Sequence, residues 1–131
     1  MKRGKCRCGG VSFVVHRDPM RCGLCHCTDC RRRSGAPFVM FIVFAAEHVE
    51  IRGERIEVAS ATGRREACVT CGTVILWADD AAHEIELYAG HFDSPGLFVP
   101  TYELWVKRRD PWLVALPVPQ YAENRPLPQA L

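Results

Sequence analysis

Hydrophobic and polar positions alternate along this chain in short bursts. In Gly10–His16, Val11, Phe13 and Val15 fall on one face and Ser12, Val14 and His16 on the other, the period of a strand. Pro37 to Phe44 is unbroken and rich in β-branched and aromatic residues, which predicts a strand buried on both faces. Val49-Glu50-Ile51-Arg52 and Ile56-Glu57-Val58 alternate on either side of Gly53-Glu54, a hairpin signature. Val74–Trp77, Glu84–Tyr88 (Ile85 and Leu87 inward) and Tyr102–Val106 predict further strands. Turn signals at Arg17-Asp18-Pro19, Ala61-Thr62-Gly63 and Asp93-Ser94-Pro95-Gly96 separate them. Helix is expected only as one short turn over about 28–33, with Thr28 as N-cap, Asp29 in the first turn and Ser34-Gly35 ending it. The tail from about residue 116 carries Pro117, Pro119, Pro126 and Pro128 and is expected to be extended or loosely docked. With no repeat, linker or long amphipathic helix, the pattern predicts an all-β (β-rich) single domain over 1–131. It would be built of short antiparallel strands, with 117–131 as a proline-containing tail.

Composition narrows the class. At 131 residues and 48% hydrophobic, the chain has enough apolar side chain for a modest core, which argues against disorder. Its 17 basic and 15 acidic residues give a formal net charge of +2. Binding two Zn²⁺ through seven thiolates would bring that to −1, so a nucleic-acid partner is not expected. Met1-Lys2-Arg3-Gly4-Lys5 has no apolar stretch behind it, so no secretory signal is read. The longest apolar run, Ala36 to Ala46, is far short of the roughly 20 residues of a membrane helix. The expectation is a soluble cytoplasmic protein with no membrane partner; its oligomeric state is left open.

Eight cysteines change the picture. Cys6-Arg7-Cys8 and Cys68-Val69-Thr70-Cys71 are tight pairs some sixty residues apart, and Cys25-His26-Cys27-Thr28-Asp29-Cys30 packs three thiols just ahead of Arg31, Arg32 and Arg33. Such short spacings without an export signal favour metal over disulfides. The two pairs make a complete tetrahedral set, and a zinc there would turn its binding energy into folding energy. If the first strand extends back through the glycines, Cys6 and Cys8 share a face. Gly72 suits a sharp knuckle whose amides point at sulfur. Three thiols make an incomplete set, and three-ligand zinc sites keep a position open.

Cys22 leaves the second set ambiguous: it is a fourth ligand, a core thiol or a redox partner. Three thiolates on Zn²⁺ leave a net charge of −1, a weak Lewis acid better suited to a thiol, whose pKa falls on binding, than to activating water. Arg31, Arg32 and Arg33 either offset that charge and grip carboxylates or form a solvated face. His26, alternating with the cysteines, is expected to point away from the metal, at the surface or behind the ligands. His48 and His83 are expected in solvent. The aromatics Phe92, Phe98, Tyr102, Trp105, Trp112 and Tyr121 are read as packing rather than a ligand wall.

Taken together, Cys6-x-Cys8-Gly9, Cys25-His26-Cys27-x-x-Cys30-Arg31-Arg32, Ser34-Gly35-Ala36-Pro37-Phe38 and Cys68-x-x-Cys71-Gly72-Thr73 closely resemble the glutathione-dependent formaldehyde-activating enzyme family, which includes centromere protein V-like proteins. Gly90-x-x-Asp93, Trp105 and Pro111-Trp112-Leu113 look like its C-terminal half. The resemblance implies a β-tent fold with two zincs, a structural one on Cys6, Cys8, Cys68 and Cys71 and a catalytic one on Cys25, Cys27 and Cys30. It also implies a carbon–sulfur lyase-type activity joining glutathione and formaldehyde as S-(hydroxymethyl)glutathione. The other reading is a noncatalytic zinc module for protein interaction, in which Cys22 closes the second site. Two positions depart from the family pattern: Ala67, where a bulky aromatic is common, and Glu103, where a histidine is common. Both put the substrate's identity in question.

Overall fold

Valine, isoleucine and phenylalanine recurring at every second position give this chain strands that must pair and cover one face each. A computed structural model describes residues 1–126; of the expected tail, residues 127–131, with Pro128, lie outside the described residues. The chain divides into two units, one of Met1–Arg21 with Phe41–Phe98, the other of Cys22–Met40 with the C-terminal segment from Val99.

In the first unit, β1 (Lys2–Lys5), β2 (Ser12–Val15) and β5 (Val49–Arg52) form an antiparallel sheet in the order β1-β2-β5. Phe13 pairs with Gly4 on one side and Ile51 on the other. Position 4 must be glycine, since a Cβ there would overlap the Phe13 ring and the His91 carbonyl oxygen. A second antiparallel series runs from β4 (Val39–Ala45) through β9 (Glu84–Tyr88), β8 (Val74–Asp79) and β7 (Arg64–Cys68) to β6 (Arg55–Val58). Phe41, Ile42, Val43 and Phe44 of β4 are all buried, as an unbroken apolar strand should be. Phe13, Phe44, Phe92 and Phe98 meet edge-on or tilted, with centroids 4.9 Å apart for Phe13–Phe92 and for Phe92–Phe98.

The second unit holds β3 (Arg21–Cys25, joined to the first at Arg21), α1 (Thr28–Ser34) and β10 (Glu103–Leu104). β10 lies parallel to β3, pairing Glu103 with Leu24 and Leu104 with Cys25. The C-terminal segment is docked by hydrogen bonds: Glu103 N–H donates to the Pro119 carbonyl, and Tyr121 N–H to the Glu103 carbonyl. No helix among the described residues is long and apolar enough to cross a membrane.

Four local expectations are corrected. The segments flanking Gly53 do not pair as a hairpin: β5 pairs with β2, and β6 with β7. Gly53, at φ 108°, turns the chain from one sheet to the other, and such a switch has the same local signature as a hairpin. Cys6 and Cys8 lie in a turn between β1 and β2 rather than on a strand, because Gly9 takes φ 81°. The strand expected over Tyr102–Val106 shrinks to two residues, since Trp105 adopts a left-handed conformation and a 3₁₀ turn follows. Not all of the C-terminal aromatics read as packing do pack, Trp112 being the exception. Phe92 and Phe98 belong to the first unit, Tyr102 and Tyr121 pair in the second, and Trp112 is 69% exposed.

Candidate metal centres

Two knuckles present the first thiol set. In the β1–β2 turn, Cys6 N–H donates to the Val11 carbonyl and Gly9 N–H to the Cys6 carbonyl. In the β7–β8 turn, Cys68 N–H donates to Thr73 and Gly72, at φ 75°, returns its N–H to Cys68. Each loop closes over itself and aims further amides at sulfur: Val11 N–H at Cys6 Sγ (3.3 Å), Gly10 N–H at Cys8 Sγ (3.3 Å) and Thr70 N–H at Cys68 Sγ (3.4 Å). The Cys71 Sγ lies 3.1 Å from Thr73 Oγ1, and hydrogen bonds from the Thr73 side chain and amide draw the Cys71 thiol down to about 5. Amide donors stabilise thiolate over thiol. Cys6–Cys8 and Cys8–Cys68 are each 3.7 Å apart at sulfur, and all four sulfurs lie within 4.8 Å of one another. Zn–S bonds of about 2.3 Å set tetrahedral edges of about 3.8 Å, so the set fits a zinc ion; a disulfide would need about 2.05 Å.

The second set comes from one end of the second unit. Cys25 ends β3, Cys27 is the N-cap of α1 in place of the expected Thr28, and Cys30 sits in the helix's first turn. The Cys27 Sγ accepts the Cys30 N–H at 3.2 Å. A thiolate thus does the work usually given to a serine or aspartate cap, and capping the helix and presenting the ligand become one act. The three sulfurs lie within 4.8 Å of one another. Held so close, they cannot all ionise unaided: hydrogen bonds from the Cys25 and Cys30 thiols draw Cys27 down to about 2, while those same contacts push Cys25 strongly up. A divalent cation would replace the protons these thiols share.

Cys22 is not part of this cluster. It stands three residues before Cys25 on a strand, so the two side chains leave opposite faces of β3. Cys22 is buried, its carbonyl accepts from Thr101, and burial pushes its thiol up to about 11. It has the character of a neutral core thiol.

The three arginines separate. The Arg31 guanidinium meets Asp110 at 3.0 Å and donates to the Pro37 carbonyl. Arg33 reaches Cys30 Sγ at 3.8 Å. Arg32 is exposed and has no hydrogen-bond or ion-pair partner among the described residues.

Of the two places expected for His26, at the surface or behind the ligands, the first is excluded: it is only 1% exposed, and its Nε2 lies 2.8 Å from Glu103 Oε1. Glu103, also 1% exposed, accepts from the Leu116 amide (2.9 Å) and the Gln120 side chain (2.8 Å), with Arg109 at 3.4 Å. Burial alone would raise this carboxyl; the hydrogen bonds from Gln120, His26 and Leu116, with the Arg109 charge, outweigh it and hold the pKa below its ordinary value. Glu103 therefore does more than replace a family histidine: it ties the residue between two cluster thiols to the C-terminal segment. The one sequence signal was a carboxylate inside an apolar strand pattern. Ala67, the other departure, is buried in β7 opposite Ile56 and Val74.

This geometry defines a β-rich protein with two cysteine clusters suited to metal, one of four thiols and one of three. The family model described as glutathione-dependent formaldehyde-activating enzyme matches residues 1–108, and the chain belongs to that family. Among solved structures, it is similar to the crystal structure of a Rhodobacter sphaeroides protein, at 20% identity and a TM-score of 0.55, over 75% of this chain and 97% of that one. That likeness concerns the fold. No curated protein matches the chain.

Proposed function

We propose that the protein is a zinc-dependent carbon–sulfur lyase-type enzyme acting on a thiol adduct, with glutathione and formaldehyde as the substrate pair the family suggests. The observation that carries this reading is that three thiols, Cys25, Cys27 and Cys30, converge with no fourth protein donor among the described residues. A tetrahedral ion there would have one position for a ligand from outside the chain. Cys6, Cys8, Cys68 and Cys71 would hold a second, closed zinc that ties the β1–β2 and β7–β8 loops together. Both centres would belong to one domain.

A zinc at the three-thiol set would supply thiolate character and a fixed position for the substrate sulfur. The remaining work falls to the chain's own groups. The Cys30 amide and the Arg33 guanidinium donate to the ligand sulfurs and spread their negative charge. The His26–Glu103 pair fixes the backbone between Cys25 and Cys27. In the reaction a C–S bond forms between the thiol sulfur and the formaldehyde carbon, the carbonyl π bond breaks, and the thiol proton ends on the new hydroxyl. All eight cysteines are free of disulfides, which fits a reducing, cytoplasmic setting.

The noncatalytic reading needs Cys22 as fourth donor, and its place on the far face of β3 removes that support. The test is exchange spectroscopy with ¹³C-formaldehyde and glutathione, measuring adduct formation above the spontaneous rate. Two zincs per chain and an accelerated exchange that disappears in Cys27→Ser are expected. Wild-type protein with both zincs and no acceleration would sink the enzyme reading.

A further inference from the structure

We propose that the three-thiol set is also a receptor for trivalent arsenic, which would take all three sulfurs and so block the open position. This rests on Cys25, Cys27 and Cys30 forming an open centre, and on nothing about the reaction performed there. The three sulfurs lie within 4.8 Å of one another, and Cys22 is outside the cluster. All three are free of disulfides. They come from one short segment: the end of β3, the N-cap of α1 and that helix's first turn. Donors carried by so short a segment meet an ion from one side. A tetrahedral ion must then find its fourth ligand elsewhere. Trivalent arsenic need not: it makes three bonds, arranged as a pyramid with its lone pair at the apex, and it is soft enough to prefer sulfur to oxygen.

Charge favours the same element. Cys25 is 8% exposed, and Cys27 and Cys30 are half-buried. Zn²⁺ on three thiolates would leave a net charge of −1 in these surroundings, offset in part by Arg33, 3.8 Å from Cys30 Sγ. Arsenic on the same three would leave none. The exchange balances without a redox step. Arsenous acid, As(OH)₃, gives up three As–O bonds for three As–S bonds, and each thiol proton leaves with a hydroxide as water. From a zinc-loaded set the three protons come from solvent, and Zn²⁺ leaves. At Cys6, Cys8, Cys68 and Cys71 the same exchange is less favourable. One of the four sulfurs would lose its bond, and with it part of the binding energy that would tie two loops together.

The test is native mass spectrometry of the zinc-loaded full chain titrated with sodium arsenite. Released zinc is read with a chromophoric chelator, and the arsenic environment by X-ray absorption. One arsenic per chain, bound by three sulfurs and no oxygen, with release of one of two zincs, is expected. Cys22→Ala should take up arsenic as wild type does, and Cys27→Ser should weaken uptake at least about tenfold. Arsenic held in wild type by two sulfurs and an oxygen, a result that needs no variant to fold, overturns the proposal. So does uptake by Cys27→Ser equal to that of wild type. Two retained zincs with no arsenic uptake also overturn it, and leave the enzyme reading standing. One zinc per chain before arsenite, with arsenic still bound by three sulfurs, supports the arsenic site and counts against a zinc enzyme.

Discussion

Replacing Glu103 by alanine tests whether the buried network under the three-thiol set is structural in the way its geometry implies. The carboxylate is almost wholly buried and meets His26 Nε2 at 2.8 Å, the Leu116 amide at 2.9 Å and Gln120 Nε2 at 2.8 Å. Hydrogen bonds to a charged group are worth about 1.5–3 kcal/mol each, so three amount to roughly 5–9 kcal/mol gross. Removing the carboxylate also removes the cost of burying it, and breaking a buried ionic network usually nets about 3–5 kcal/mol. Glu103→Gln keeps an acceptor of the same shape and should lose only about 1–2 kcal/mol. For a domain of this size 3–5 kcal/mol corresponds to a fall in Tm of about 10–25 °C. The assay is urea unfolding by circular dichroism at fixed excess zinc, comparing midpoints once the slope is found unchanged. The sign with pH follows from the lowered pKa. The carboxylate's contribution is fully present above the ordinary value of 4.5 and fades as pH falls through the lower folded value. The gap between wild type and Glu103→Gln should therefore be flat from pH 6 to 8 and close only in acid. A Glu103→Ala variant within about 1 kcal/mol of wild type at pH 7 would refute the reasoning.

Three further outcomes are expected. Cys68→Ser should lose the metal of the four-thiol set, and since structural zinc contributes about 10–16 kcal/mol of apparent binding energy, the first unit should lose its protection in limited proteolysis. Cys22→Ala should retain as much zinc as wild type by elemental analysis. In wild type, Cys22 should resist alkylation at pH 8, because burial keeps its thiol at about 11 and the thiolate is the reactive form. Gly4→Ala should cost about 1–3 kcal/mol in unfolding experiments, since the added methyl must displace the Phe13 ring or the β1 backbone.

What the sequence revealed was whatever is encoded over a few neighbouring residues. The thiol sets needed only spacing. β2, β4, β8 and β9 needed only alternation or an apolar run, and α1 only the Ser34-Gly35 stop, which the structure realises as a left-handed Gly35 cap. Contacts between distant residues were not legible. Lys2-Arg3-Gly4-Lys5 looks like a polar leader, yet it is a strand because Gly4 lets β1 lie against Phe13. β3 was hidden because Arg21-Cys22-Gly23-Leu24-Cys25 reads as part of a cysteine cluster. Once it is seen as a strand, the exclusion of Cys22 follows from pleat geometry alone. The His26–Glu103 pair spans 77 residues, and neither partner's neighbours announce the other.

The two thiol sets differ in what a bound ion could do because of the elements that hold them. Four sulfurs reach the first centre from two loops, each closed on itself by backbone hydrogen bonds and flanked by paired strands. An ion there would have its coordination completed by protein and no direction left from which a substrate could reach it. In the second set a strand end, a helix cap and the first turn of that helix supply three sulfurs over six residues. So short a segment cannot also bring a fourth donor around to the far side. The candidate that sequence proximity offered, Cys22, is turned away by the alternation of β3.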